Sequence, residues 1–177
     1  MGGGSITIIP QGRKNKGAYH AAGNALLYGA TGGQLYISGR VGQRFGVRNS
    51  GGIAVVEGCS AHAAEYMTGG TLIILGSIGF NFGAGMTGGK VILLKTQKNF
   101  SQYISKSAPE LREINDIDIL ELRAFLNKHI EQTGSELAQD ILSKEENWSK
   151  MFAVFGGLDT VTDQEISRAK EKIESLD

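Results

Sequence analysis

An all-β solenoid, a parallel β-helix with coils of about 19 residues followed by a helical C-terminal tail, is the fold class this sequence predicts. Three observations predict it. Two glycines, one variable residue and then alternating apolar residues occur five times. The copies are Gly3-Gly4-Ser5-Ile6-Thr7-Ile8, Gly32-Gly33-Gln34-Leu35-Tyr36-Ile37, Gly51-Gly52-Ile53-Ala54-Val55-Val56, Gly69-Gly70-Thr71-Leu72-Ile73-Ile74 and Gly88-Gly89-Lys90-Val91-Ile92-Leu93. From the second copy on, the glycine pairs recur every 19, 18 and 19 residues. A short fixed period with one strand per copy is what stacked coils require. The glycines are also segregated, 23 of the 26 lying in residues 1–96.

Each element follows from this pattern. The first gap, 29 residues, fits one period plus an insertion around Gln11 to Ala21. After each glycine pair, alternation sends the second and fourth residues to one face. Stacking the copies gives an inner column of Ile6, Leu35, Ala54, Leu72 and Val91, and a second of Ile8, Ile37, Val56, Ile74 and Leu93. Both are wholly apolar, as core ladders must be. One outward column, Ser5, Gln34, Ile53, Thr71 and Lys90, reads as a largely polar, solvated face. The other, Thr7, Tyr36, Val55, Ile73 and Ile92, puts an apolar stripe outside the coil, and a patch of that size calls for a cover. The cover is either the chain's own tail or another chain. Glycine serves the corners because a coil this short turns sharply. The second half of each coil aligns Ala25, Arg44, His62 and Asn81, and likewise Tyr28, Val47, Glu65 and Ala84, as loops or short broken strands. A leucine-rich-repeat horseshoe needs a longer period and an Asn or Cys ladder, both missing here.

Residues 97–177 change to a helical period, so the expected organisation is a β-helix over residues 1–96 and a mainly helical extension over 97–177. Asp116 or Asp118 caps a helix carrying Ile119, Leu122, Leu126 and Ile130, which Gly134 closes. Thr133 or Ser135 opens a second helix with Leu137, Ile141 and Leu142, and Thr133-Gly134-Ser135-Glu136 fits a capping box. Trp148 to Phe155 reads as an extended apolar segment, and Thr162-Asp163-Gln164-Glu165 opens a last, charged helix to Leu176.

The formal net charge of zero hides a division: residues 1–96 carry +6 and residues 97–177 carry −6. The basic residues are too sparse, and too poor in neighbouring aromatics, for a nucleic-acid surface. One cysteine, Cys59, builds no disulfide framework and fits a reducing compartment. The N-terminus shows neither a secretory signal nor a myristoylation site, since position 6 is Ile6. The longest apolar runs are strand-sized, and the expected location is the cytoplasm.

Few residues invite a chemical reading. Cys59, His62 and Glu65 have the atoms for a metal or a nucleophile–base pair, but three ligands do not close a structural zinc site. A Cys with one His also lacks an orienting group and an oxyanion hole. Gly29-Ala30-Thr31-Gly32-Gly33 and Gly83 to Gly89 resemble phosphate loops, yet strands follow them where a dinucleotide site needs a helix. Arg40, Arg44 and Arg48, with Arg13, Lys14 and Lys16, can bind an anion or an acidic partner, and read equally as a solvated or salt-bridged face. The expected catalytic, cofactor and metal residues are therefore none.

Five words carry a family resemblance: Gly23-Asn24-Ala25-Leu26-Leu27-Tyr28-Gly29-Ala30-Thr31-Gly32-Gly33, Arg44-Phe45-Gly46-Val47-Arg48-Asn49-Ser50-Gly51, Val55-Val56-Glu57-Gly58, Glu65-Tyr66-Met67-Thr68-Gly69-Gly70 and Asn81-Phe82-Gly83-Ala84-Gly85-Met86-Thr87-Gly88-Gly89. Together with His129-Ile130-Glu131-Gln132-Thr133-Gly134-Ser135-Glu136-Leu137-Ala138, they resemble the C-terminal GXGXG domain of the glutamate synthase large subunit, from about Gly3 to Phe155. Related β-helices occur in the C subunit of formylmethanofuran dehydrogenase and in free-standing subunits such as that of N-methylglutamate synthase; the helical tail favours the glutamate synthase side. The resemblance implies a right-handed β-helix. It also implies an enzyme that makes glutamate from glutamine and 2-oxoglutarate, using a cysteine-nucleophile amidotransferase domain and an FMN barrel with an iron–sulfur cluster. The GXGXG domain bears none of those groups, and Cys59 stands where members often carry a small residue. A non-catalytic scaffold, partnered by the amidotransferase and FMN-binding synthase domains, is the leading expectation. A small metal or thiol enzyme using Cys59, His62 and Glu65, and a free-standing interaction module, are the alternatives. The family's domain starts upstream of Gly3, so an uncovered first coil that self-associates in isolation is also expected.

Overall fold

Five parallel strands stand side by side in sequence order in the computed structural model: β1 (Gly2–Ile8), β2 (Gly32–Ile37), β3 (Ser50–Val56), β4 (Thr68–Ile74) and β5 (Gly88–Leu94). The structure describes residues 2–10, 20–157 and 162–174, apart from the side chains of Asp163 and Lys172. The register is the one the alternation predicts, with Ile6 beside Leu35, Leu35 beside Ala54, Ala54 beside Leu72 and Leu72 beside Val91. Shorter parallel bridges join Val41 to Cys59 and Phe82 to Ile104 on the other sides of the coils. The result is a parallel β-solenoid. From Leu35 onward the inner ladders are buried with Phe45, Met67 and Phe82 in one apolar cluster. Ile6 departs from this, with 46% of its surface exposed against 2% for Leu35.

The loop half of each coil is held in an unusual backbone state. Ala25, Arg44, His62 and Asn81 stack with φ of 59, 59, 66 and 59°. Arg48 and Tyr66 continue a second such column, at 54 and 52°, between Gly29 and Gly85. A left-handed L-residue costs about 1–2 kcal/mol. Hydrogen bonds between coils offset the cost: the amides of Arg44, Arg48 and His62 donate to the carbonyls of Ala61, Glu65 and Phe80 at 3.0, 2.9 and 2.9 Å.

Beyond β5 the sheet changes direction. β6 (Leu111–Arg112) and β7 (Phe152–Gly156) add antiparallel strands, β7 pairing with β5 and β6 with β7. Phe155 sits beside Val91 and packs on Phe82 with ring centroids 5.5 Å apart, so it plugs that end of the core. The segment read as wholly extended is instead a short helix, α3 (Trp148–Met151), followed by β7.

α1 (Asp116–Thr133) is capped by Asn115, not by Asp116 or Asp118. Asp118 is the reciprocal member of that capping box, and Gly134 ends the helix at φ 66°. Ser135 caps α2 (Glu136–Leu142), whereas the Thr133 hydroxyl turns back to the His129 carbonyl at 2.5 Å. The box before α4 (Asp163–Glu174) forms as expected: the Thr162 amide donates to Glu165 at 2.8 Å, and the Glu165 amide to the Thr162 hydroxyl at 3.4 Å. The end of that helix reading, at Leu176, lies outside the described residues.

α1 is also the crossbar of the molecule. Eighteen residues at 1.5 Å rise span about 27 Å, more than the roughly 19 Å across five strands. Near its start Asp118 meets Lys90 of β5, and near its end Gln132 accepts a bond from Thr7 of β1 at 3.1 Å. Between these points Leu122, Phe125 and Leu126, with Ala138, Ile141 and Trp148, cover Tyr36, Val55, Ile73 and Ile92. The tail is the cover that the stripe required.

Candidate functional site

The Cys59-x-x-His62-x-x-Glu65 spacing does not produce a cluster. Cys59 lies in the solenoid core, and burial pushes its thiol up to about 12 against the opposing pull of Arg40 and the Gly79 amide. His62, on a left-handed corner, points outward and bonds Glu65 through Nδ1 at 2.7 Å. Asn81, one coil on, donates to the same Glu65 oxygen at 2.7 Å. This is a surface hydrogen-bond group joining two coils. Among the described residues no three His, Cys, Asp or Glu side chains are placed to hold a metal ion.

The glycine strings run directly into β2 and β5, so neither aims a helix terminus at a phosphate. Arg40 is spent inside the fold: it donates to the carbonyls of Ser77 and Cys59 at 3.2 and 2.9 Å, and to the Ser77 hydroxyl. Arg44 and Arg48 lie exposed beside Tyr28 and Tyr66 along an open groove of about 630 Å³. Arg13, Lys14 and Lys16 lie outside the described residues. The outward column read as solvated is partly buried instead, because Thr71 and Lys90 lie at the foot of the tail.

Two polar clusters escaped the sequence reading, because each joins residues far apart in the chain. In the first, Glu57 is buried below α1 and accepts from the Ser135 hydroxyl at 2.5 Å and the Ser38 hydroxyl at 3.4 Å. His129 lies fully buried beside it with Nε2 3.6 Å from Glu57, and among the described residues neither ring nitrogen has a hydrogen-bond partner. These are the residue types of a hydrolase triad in the wrong order. The serine is bonded to the carboxylate and not to the imidazole, so nothing draws its proton away for attack. The second cluster joins Lys90 to Asp118 and Glu121 at 2.9 and 2.6 Å, and Arg112 to Asp118 at 2.5 Å. Burial pushes the Asp118 carboxyl up, but the Arg112 hydrogen bonds and the Lys90 charge outweigh it and hold it below its usual range. Tyr36, under the same layer, is pushed up to about 12 by burial and by Glu131.

The GXGXG motif family matches residues 1–156. The chain belongs to the GXGXG family. Ferredoxin-dependent glutamate synthase 2 of Synechocystis sp. is 42% identical over 158 residues, 88% of this chain and 10% of that protein. The glutamate synthase [NADPH] large chain of Bacillus subtilis is 42% identical over 137 residues, 73% of this chain and 9% of its own length. The glutamate synthase [NADH] of Schizosaccharomyces pombe is 48% identical over 122 residues, 68% of this chain and 6% of that protein. The GXGXG chain thus spans about a tenth or less of the length of these curated relatives. Among the described residues, no helix is long and apolar enough to cross a membrane.

Proposed function

We propose that this GXGXG chain is a non-catalytic scaffold module of a glutamate-synthase-type machine, partnered by amidotransferase and FMN-binding synthase domains. One observation carries the reading: the solenoid interior is filled by aliphatic ladders, and its single thiol sits in that core with its pKa raised to about 12. A thiol so held has almost no thiolate at neutral pH and no access to substrate. The names of the relatives add support. Enzymes described by ferredoxin, NADPH and NADH carry this region at 42, 42 and 48% identity. A part shared by enzymes with different electron donors fits a role away from the donor. Residues 1–96 form the scaffold body in this reading, residues 97–177 its cover, and a reducing cytoplasmic setting suits the lone buried cysteine.

The test is complementation in trans. A synthase polypeptide lacking this region is mixed with the separate chain, and assembly and glutamate formation are measured. The wild-type chain and Cys59→Ala are expected to restore activity equally. Loss of activity with Cys59→Ala at unchanged assembly, or stoichiometric flavin in the isolated chain, overturns the scaffold role.

A further inference from the structure

The left-handed column on the loop side of the solenoid reads Gly29, Arg48, Tyr66, Gly85, with φ of 60, 54, 52 and 63°. All four places suit glycine, which takes this conformation without strain. The first and last have it. The middle two carry large side chains instead, at a cost in backbone strain that glycine would remove. Arg44, at 59° in the neighbouring column, is held in the same way. Side chains placed at such a cost point to a use for them.

The fold itself does not use them. Arg40, Arg112 and Arg123 are spent on carbonyls and carboxylates, whereas among the described residues no ion pair or side-chain hydrogen bond reaches Arg44 or Arg48. The nearby carboxylate, Glu65, is turned to His62 and Asn81 at 2.7 Å each. The two arginines flank the buried Val47 in one coil, with Tyr28 in the coil before and Tyr66 in the coil after, along the open groove of about 630 Å³. Both tyrosines are more than half exposed, at 53 and 59%. The Tyr66 ring lies across the next coil, where a Cβ at Gly85 would come within 2.7 Å of it, so glycine there makes room for the ring. Exposed Tyr and Arg on a rigid backbone, with no lysine among the described lining residues, is the composition of a protein-binding hot spot rather than of a solvated face.

We infer that this groove docks an extended acidic segment of a partner protein. Coils stack about 4.8 Å apart, so the four coils from Tyr28 to Gly85 span about 14 Å, the length of about four extended residues. Neighbouring side chains of such a segment point to opposite sides, so two adjacent carboxylates reach Arg44 and Arg48 across Val47. Each guanidinium then takes a carboxylate through paired N–H donors, and the tyrosines cover the backbone between them. A small anion meets the same charge but leaves both tyrosines unused.

The test is a titration of the isotope-labelled chain, followed by its amide NMR shifts, with the blocked peptide Gly-Glu-Asp-Glu-Gly and its amide counterpart Gly-Gln-Asn-Gln-Gly. The acidic peptide should give saturable shifts at Tyr28, Val47, Arg48 and Tyr66, and the amide peptide should bind at least tenfold more weakly. Arg48→Gly should melt no more than a degree below wild type, because it relieves strain, yet bind the acidic peptide at least fivefold more weakly. Absence of saturable shifts in the groove, or equal binding of the two peptides, overturns the acidic occupant. Inorganic pyrophosphate that shifts the same amides at lower concentration than the peptide gives the groove to a small phosphate ligand and overturns the protein partner. Arg48→Gly melting several degrees below wild type shows that the fold needs this side chain and overturns the argument from strain. The titration uses this chain alone, so none of these outcomes touches the scaffold role.

Discussion

Replacing Asp118 by asparagine should uncouple the start of α1 from the sheet. The carboxylate is fully buried, bonded by Lys90 at 2.9 Å and by Arg112 at 2.5 and 3.2 Å, and it accepts the Asn115 amide at 3.0 Å in the capping box. Asparagine keeps the size and one acceptor but removes the charge. Breaking a buried ion pair costs about 3–5 kcal/mol. Glu121 stays 2.6 Å from Lys90 and retains part of the attraction, which puts the loss near the low end, about 3 kcal/mol. For a chain of this size each kcal/mol moves the melting temperature by about 2–4 °C, so the drop should be roughly 6–12 °C. Asp116→Asn, two residues earlier, about 200° round the helix and exposed, is the control. The pH dependence follows from the lowered carboxyl pKa. Stability from such a group is fully present above its unfolded value of about 3.9 and disappears as pH falls through the folded one. Thermal melts by circular dichroism should therefore show the gap between wild type and Asp118→Asn at pH 7 and its closure below about pH 4. If Asp118→Asn melts within a degree of Asp116→Asn at pH 7, the cluster does not hold the tail.

Three further outcomes are expected. Leu72→Ala, in the middle of the inner ladder, should cost about 2–5 kcal/mol in denaturant titration; a loss below about 1 kcal/mol would remove that position from the core. Cys59 should react with a disulfide reagent only as fast as the protein opens, and stoichiometric labelling of the native chain within seconds contradicts its burial. Trp148 is the single tryptophan, fully buried, with Nε1 donating to the Ile141 carbonyl at 2.9 Å. Its emission should be blue-shifted and move red in the same transition that far-UV circular dichroism reports. Two separate transitions would show that the tail leaves before the solenoid melts.

The solenoid was legible because its rule is local. Period-two alternation after each glycine pair assigns Leu35, Ala54, Leu72 and Val91 to one ladder without reference to any distant residue. The apolar stripe of Tyr36, Val55, Ile73 and Ile92 announced that a cover was needed, but alternation has no term for what supplies it. The extended run at Phe152 to Phe155 was legible, but its partner was not: pairing with β5, which closes the sheet, is a contact across some 60 residues of chain. The left-handed corners at Arg44, His62 and Tyr66 run against residue preference and are set by hydrogen bonds from neighbouring coils. The Glu57–Ser135 contact spans 78 residues, a distance at which spacing carries no signal. Cys59, His62 and Glu65 show the converse: adjacent in sequence, they part at a corner that sends the thiol inward and the imidazole outward.

The crossbar also sets a clock for the newly made chain. Thr7 and Gln132 are 125 residues apart, so the first coil meets its cover only after that length has been synthesised. At 5–20 residues per second this is roughly 6–25 s, far longer than local strand pairing needs. Until then a nascent stack carries its apolar stripe bare, the state in which a ribosome-bound chain is most exposed to chaperones and to wrong partners. The coils of this chain are thus ready early, and the cover they need is the last part of the fold to arrive.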